Sequence, residues 1–231
     1  HRPEDQHVRF NSDGLDITGN NGNGGIGVTY YNQALQEEVS VQSKALPAEI
    51  GGGGIYMNMV SKDGGNEFKG SLFLSYTGDS LQSTNVSEAQ RALGMRDPAR
   101  VDSLLDFNPT FGGPLIRDRL WFMGSYRYWR NNRMEANTYN PDGTQALDRQ
   151  LLVNYSGKIS AQINESNRLG FLIHWNKKYR EERRDRTALY QFISPEASKW
   201  QRQGGAIGNV RWTSSLRDDF LVEAGFLFHR I

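Results

Sequence analysis

The chain has 231 residues, a formal net charge of +1 and a mean hydropathy of -0.67. The near-neutral balance gives no push toward nucleic acid, the lack of cysteine excludes disulfides and thiolate metal sites, and no run of about 18 apolar residues could make a transmembrane helix. A transmembrane barrel is not excluded, because its strands give only alternate residues to lipid, and 11% aromatics with 25 Gly suit such β structure.

His1 to Asn11 is polar and featureless, without an initiator Met or a signal peptide, as expected of a chain that starts inside a longer polypeptide. Asn11 to Gly27 (NSDGLDITGNNGNGGIG) carries turn and loop chemistry. Gln36 to Val41 and Ile55 to Val60 are short strand candidates, and no long amphipathic helix is visible. Residues 1–66 therefore read as a small, loop-rich mixed β unit. Gly51, Gly52, Gly53 and Gly54 let backbone pass where side chains would not fit. As a phosphate loop they lack the Lys-Ser/Thr and the following helix.

A different pattern starts at Glu67. Phe68, Gly70, Leu72, Leu74 and Tyr76 share one face, while Lys69, Ser71 and Ser75 share the other. The same period of two recurs in seven strand candidates, over about 67–76, 104–115, 119–130, 150–163, 168–180, 200–214 and 218–231. In the fourth, Tyr155 and Ile159 oppose Asn154, Ser156 and Lys158; in the fifth, Phe171 and Trp175 oppose His174 and Asn176. Such runs are long for globular strands, and a strand of about 9–11 residues, tilted, spans a bilayer. Short connections near Arg117-Asp118, Asn164–Asn167 and Ser215–Asp218 alternate with long ones near 77–103, 131–149 and 181–199, the layout of an outer-membrane barrel.

Residues with chemical potential read blandly. His174 lies among polar positions and suits inner packing rather than metal binding. The charge run Arg180–Arg186 reads as a solvated hairpin, with lipopolysaccharide phosphates as its sharper alternative partner. The carboxylates come as adjacent pairs, which in a strand point to opposite faces, and no hydrolase or metalloprotease motif is present. Tyr76, Tyr126, Tyr128, Trp175, Tyr179 and Trp212 are candidates for interfacial aromatic girdles.

Two blocks resemble a known family. EIGGGGIYMNMVSKDGGNEFKGSLF, with Glu49, Gly51–Gly54, Lys62, Gly65, Asn66, Phe68 and Gly70, is similar to the plug-to-barrel junction of TonB-dependent outer-membrane transporters of the Oar-like branch. Asp63-Gly64 departs from the Ser-Gly-like pair usual there, with the spacing shifted by a residue. The second block, Phe111, Gly112, Gly113 and Pro114 with a basic turn and an aromatic strand after it, matches the barrel signature. The resemblance implies an all-β fold: part of a plugged antiparallel transmembrane barrel of about 22 strands, preceded by part of a small mixed α/β plug domain. Residues 1–66 would be the C-terminal part of the plug, and 67–231 the first seven or so strands of an incomplete barrel. Seven strands cannot close such a wall, so the chain is expected to be a fragment of a larger transporter or to lack its remainder in this sequence.

What the resemblance implies for function is transport of a large solute (peptide, glycan or metal chelate) across the bacterial outer membrane through a plug-gated barrel, without enzymatic chemistry, metal or cofactor. Its partners would be outer-membrane lipid and lipopolysaccharide, a TonB-ExbB-ExbD-type energising complex acting on a segment outside this chain, and a surface lipoprotein. Two alternatives stay open: a passive or adhesive barrel without TonB coupling, and a secreted polysaccharide-binding β-sandwich. The sandwich requires the faces of Leu120/Phe122 and Phe226/Phe228 to pack sheet on sheet.

Overall fold

The computed structural model describes residues 8–18, 30–43, 55–183, 195–217 and 219–230. The expected junction residues Glu49 and Gly51–Gly54 lie outside them.

The first part forms a four-stranded sheet in the order β2-β1-β4-β3. Its strands are β1 (Val8–Ser12), β2 (Leu15–Asp16), β3 (Gln36–Gln42) and β4 (Ile55–Ser61). β1 runs parallel to β4, and the other pairs are antiparallel. Asp13 (φ 48°) and Gly14 (φ 81°) make the tight turn between β1 and β2. The strands expected around 36–41 and 55–60 are present. β1 and β2 fall where the sequence reads as featureless chain and turn. VRFNS has no alternation, and it is held as a strand by a partner far along the chain. Among the described residues this unit holds a 3-10 turn, Gln33–Leu35, and no α-helix.

The second part is a seven-stranded antiparallel meander in the order β11-β10-β9-β8-β7-β6-β5. Its strands are β5 (Lys69–Gly78), β6 (Arg100–Ile116), β7 (Leu120–Tyr139), β8 (Gln145–Asn164), β9 (Asn167–Arg183), β10 (Lys199–Arg217) and β11 (Phe220–Arg230). All seven expected strands exist, and most run further than the alternation shows. The clearest correction concerns the long link expected at 131–149. β7 and β8 have 20 residues each and leave a connection of only 140–144. The added stretch opens with Asn131, Asn132 and Arg133, polar on both faces, so no alternation marks it as strand. The connection from β5 to β6 stays long and holds a short helix, α1 (Glu88–Ala92), closed by a capping box between Ser87 and Gln90. The β6–β7 ladder skips Asn108 and Pro109, where proline has no N–H to give.

The two faces of this sheet differ in kind. The inner face, which carries the small sheet, buries Asp106, Asn108, Asn154, Ser156, His174 and Asn176. The outer face shows Leu72, Phe111, Ile159, Trp175 and Phe226, all more than one third exposed. Polar inside and apolar outside reverses the order of a water-soluble domain and fits a wall standing in lipid. It also removes the β-sandwich: Phe226 is 66% exposed, and the small sheet packs on the opposite, polar face. A compact apolar cluster of Ile17, Met59 and Ile207, with Phe10, Tyr31 and Leu227 around it, ties the two sheets together.

Candidate functional site at the interface of the two sheets

Most of the contact between the sheets is polar, and it concentrates at four points. The first is Asn32, just before the 3-10 turn. Its side chain and that of Asn108 on β6 exchange two hydrogen bonds, 2.8 and 3.0 Å long, and its Nδ2 also donates to Ser125 Oγ at 3.1 Å. Both amides are buried, so each needs the other.

The second point is Tyr30-Tyr31. Asn154 Nδ2 donates to Tyr30 O at 2.7 Å, and Tyr30 N donates to Asn176 Oδ1 at 3.2 Å. Lys178 Nζ reaches the Tyr30 hydroxyl at 2.7 Å. Tyr31 packs its ring 4.6 Å from that of His174. Burial, with help from nearby Asp13, pushes the Tyr31 phenol above its ordinary range, so it stays neutral. His174 is fully buried. Ser156 Oγ gives its one proton to Asn154 Oδ1, so the 2.7 Å contact to His174 Nδ1 has the imidazole as donor. His174 thus serves inner packing, as its sequence setting suggests. No group of three or more His, Asp or Glu that could hold a metal occurs among the described residues.

The third point is ionic. Lys158 Nζ on β8 lies 3.1 Å from Asp63 Oδ1 and 3.8 Å from Asp13 Oδ2, and donates to Ser61 O at 3.2 Å. Asp63 also accepts from Ser160 Oγ at 2.6 Å and from Arg168 Nη2 at 3.0 Å. Arg211 on β10 donates to Asp13 O at 2.8 Å while gripping Glu223 through both carboxylate oxygens. A cavity of about 240 Å³ opens between Asp13, Asp63, Lys158, Arg168, Arg211 and Glu223. Opposite charges hold the sheets in register around a space large enough for several waters.

The fourth point fixes the passage between sheets. Asn66 accepts from Asp118 N at 2.9 Å and from Trp121 Nε1 at 2.8 Å, and gives Nδ2 to Asp118 Oδ1 at 2.5 Å. That clamps the β6–β7 turn, where Asp118 sits at φ 63°. Lys62 donates to Ala34 O at 3.0 Å. Phe68 stacks on Phe111 at 5.8 Å and lies over Gly113, whose hydrogen leaves room for its ring. A Cβ on Gly70 would come 2.7 Å from Thr110 O, and one on Gly112 would come 2.6 Å from Phe122 O. Pro114 pairs with Trp121 just before a register shift, after which Ile116 and Leu120 close the ladder.

Of the residues singled out at the junction, the described ones, Asn66, Phe68 and Gly70, meet the β6–β7 hairpin, and Lys62 meets the 3-10 turn, with two differences from the expected set. Gly65 has open space around it, whereas Gly64 is the one pressed on the backbone of Phe122. Asp63, which departs from the family pattern, carries the ionic network. Nothing local marks Asp63, because its partners lie 95 or more residues on. Among the aromatics, Tyr126, Tyr155 and Trp175 form one outward row with centroids 5.2 and 5.5 Å apart. Trp212 stands nearer the short turns, Tyr76 is on the edge strand, and Tyr128 and Tyr179 lie above the row.

Comparison with known proteins agrees with this architecture. Residues 60–147 match the family model described as an outer membrane beta barrel domain. Over 146 residues the chain is 25% identical to the TonB-dependent transporter Oar of Myxococcus xanthus, covering 53% of this chain and 14% of Oar. Its fold is similar to the crystal structure of the outer membrane transporter YddB from Escherichia coli, with a TM-score of 0.64 and 12% identity over 95% of this chain and 31% of YddB. The chain thus spans a minor part of the length of either relative.

Proposed function

We propose that this outer-membrane β-barrel segment, similar to TonB-dependent transporters, is the plug-to-wall section of a gated transporter. The protein resides in the bacterial outer membrane. The four-stranded sheet is the plug, the seven-stranded sheet is wall, and the inner face is the lumen. The observation that carries this reading is the interface chemistry. A permanently fixed domain is served by a wholly apolar seam, whereas here, beside the small apolar cluster around Ile207, the pairs Asn32/Asn108, Tyr30/Asn154 and Asp63/Lys158 hold the small sheet by contacts that water can exchange. Pulling on the plug would then hydrate most of the seam step by step and leave only the small cluster around Ile207 to part as a dry contact. The energising partner is of the TonB type, acting through a segment outside this chain, and the cargo is a large solute such as a peptide, glycan or metal chelate.

The test is labelling of a buried cysteine at the seam. Ser61 is 3% exposed. In full-length Ser61→Cys protein in intact cells, maleimide labelling should rise several-fold in energised cells over cells treated with a proton uncoupler. Equal labelling in both would overturn energised gating and favour the passive barrel. Extraction only by detergent, together with heat-modifiable gel mobility, independently checks the barrel itself.

A further inference from the structure

The charges on the inner face of the wall fall into two groups. Asp106, Asp148 and Glu223 are matched within the large sheet, by Arg127, Arg180 and Arg211. Three other cations take their side-chain partners from the small-sheet unit. Lys158 has Asp63 and Asp13 as its ionic partners and donates to Ser61 O. Arg168 shares Asp63. Lys178 gives its hydrogen bond to the Tyr30 hydroxyl and lies 4.8 Å from the centre of that ring. Removing the small sheet would take Asp13, Asp63 and Tyr30 with it. Lys158, Arg168 and Lys178 would then face the lumen without the groups that hold them.

These cations are spread along the depth of the wall. Arg168 and Lys178 lie ten residues apart on β9, and Lys158 on β8 is level with Leu172 between them. At about 3.3 Å per residue and a tilt near 40–45° ten residues rise roughly 24 Å, the height of the apolar band of an outer-membrane barrel. The strip therefore reaches from near the short turns to near the outer rim. Just above Lys178 a cavity of about 350 Å³ opens beside Arg133, Asp148 and Arg180, on the side of the long connections. With lipid behind the wall, uncompensated charges act on the lumen through a low-dielectric boundary that focuses their field.

We infer that this strip is a cationic track for an acidic peptide, uncovered when the small sheet moves, and that Asp63 holds its lower end in the closed state as a cargo carboxylate does in transit. Asp63 already shows the contact: one carboxylate lies 3.1 Å from Lys158 and 3.0 Å from Arg168. Side chains on one face of an extended peptide recur about every 6.6 Å. Inner-face positions of β9 such as Lys178 and Arg180 have that same period. Two of the three uncovered cations are lysines, compact charges on flexible stems that form no fixed bidentate fork, which suits a cargo that must be released again. The middle of the strip, at His174 and Asn176, is neutral and polar, so the carboxylates are passed between two charged stations rather than trapped in one. The inference rests on the gated reading, with the small sheet as plug.

The experiment is current recording from the full-length protein in a planar bilayer, with urea added to loosen the polar seam and open the lumen. Oligoglutamate should then interrupt the current at a concentration at least about tenfold below that needed of oligolysine of the same length. Lys158→Gln/Arg168→Gln/Lys178→Gln should bring the two concentrations several-fold closer. Lys158→Arg/Arg168→Lys/Lys178→Arg, which keeps the charges, should keep the wild-type ratio. Equal block by the two peptides in wild type would overturn the track and leave gating standing. An unchanged ratio in the Gln variant, its insertion verified by heat-modifiable mobility, would overturn the track as well. A lumen that never opens in urea would overturn the gated reading, and the track with it.

Discussion

Gly64 and Gly65 are neighbours with opposite tolerances. A Cβ on Gly64 would overlap the Phe122 carbonyl oxygen and come 2.9 Å from both Phe122 N and Trp121 Cβ, whereas Gly65 has nothing within 4 Å. Backbone cannot yield as a side-chain tip can, so Gly64→Ala should cost about 1–3 kcal/mol, while Gly65→Ala should stay within about 0.5 kcal/mol. The temperature at which the folded gel band converts to the unfolded one reads the difference; a larger loss from Gly65→Ala would contradict it. Asp63 makes a second residue-scale case. Asp63→Asn leaves Lys158 and Arg168 without their shared carboxylate. Asp63 is 38% exposed, which tempers the loss to about 1–2 kcal/mol, roughly tenfold in the population with the seam open. Labelling of Ser61→Cys should quicken by that factor in the Asp63→Asn background and stay unchanged if the network is ornamental.

At the scale of elements, the β7–β8 hairpin reaches beyond its expected ends. Its tip, 140–144, is a tight turn: Gly143 is at φ 83°, and Asp142 accepts from Thr144 N at 2.9 Å. Lower down, Glu135 is buried, and Asn137 (φ 49°) takes N–H groups from both Arg96 and Asp97. An epitope inserted between Asp142 and Gly143 should be accepted and seen by antibody on intact cells, whereas the same insertion between Met134 and Glu135 should lower the yield of folded protein. Equal tolerance at both places would mean that 131–139 is a loop after all. The contrast also shows what a sequence displays. Where one face meets lipid and the other the polar interior, as from Tyr155 down to Ala161, alternation reveals the strand and its facing. Above the apolar band both faces are polar, and the strand continues unseen. β1 is hidden for another reason, since its ladder comes from β4. The ionic seam is less visible still: it depends on register across several strands, which no local spacing encodes.

Over the whole molecule, the inverted polarity of the large sheet makes its two edges the critical feature. Among the described residues β5 pairs only with β6 and β11 only with β10, so each edge presents a free row of backbone donors and acceptors. In hydrocarbon an unpaired backbone group costs several kcal/mol, which is why spanning sheets close into barrels. The outer face offers no escape into water either, with Leu72, Leu74, Phe111 and Phe226 each more than half exposed. The 231-residue segment expressed by itself should therefore aggregate, and refolding into detergent should yield no heat-modifiable band. Within a full-length transporter both edges would be covered by further wall strands. Coexpression with the remainder of the wall as a separate chain should then restore the band, as two pieces that pair edge to edge. A stable, heat-modifiable species formed by the segment alone would mean that its edges satisfy one another. The wall would then be a small closed barrel, and the proposed large gated one would fall with it.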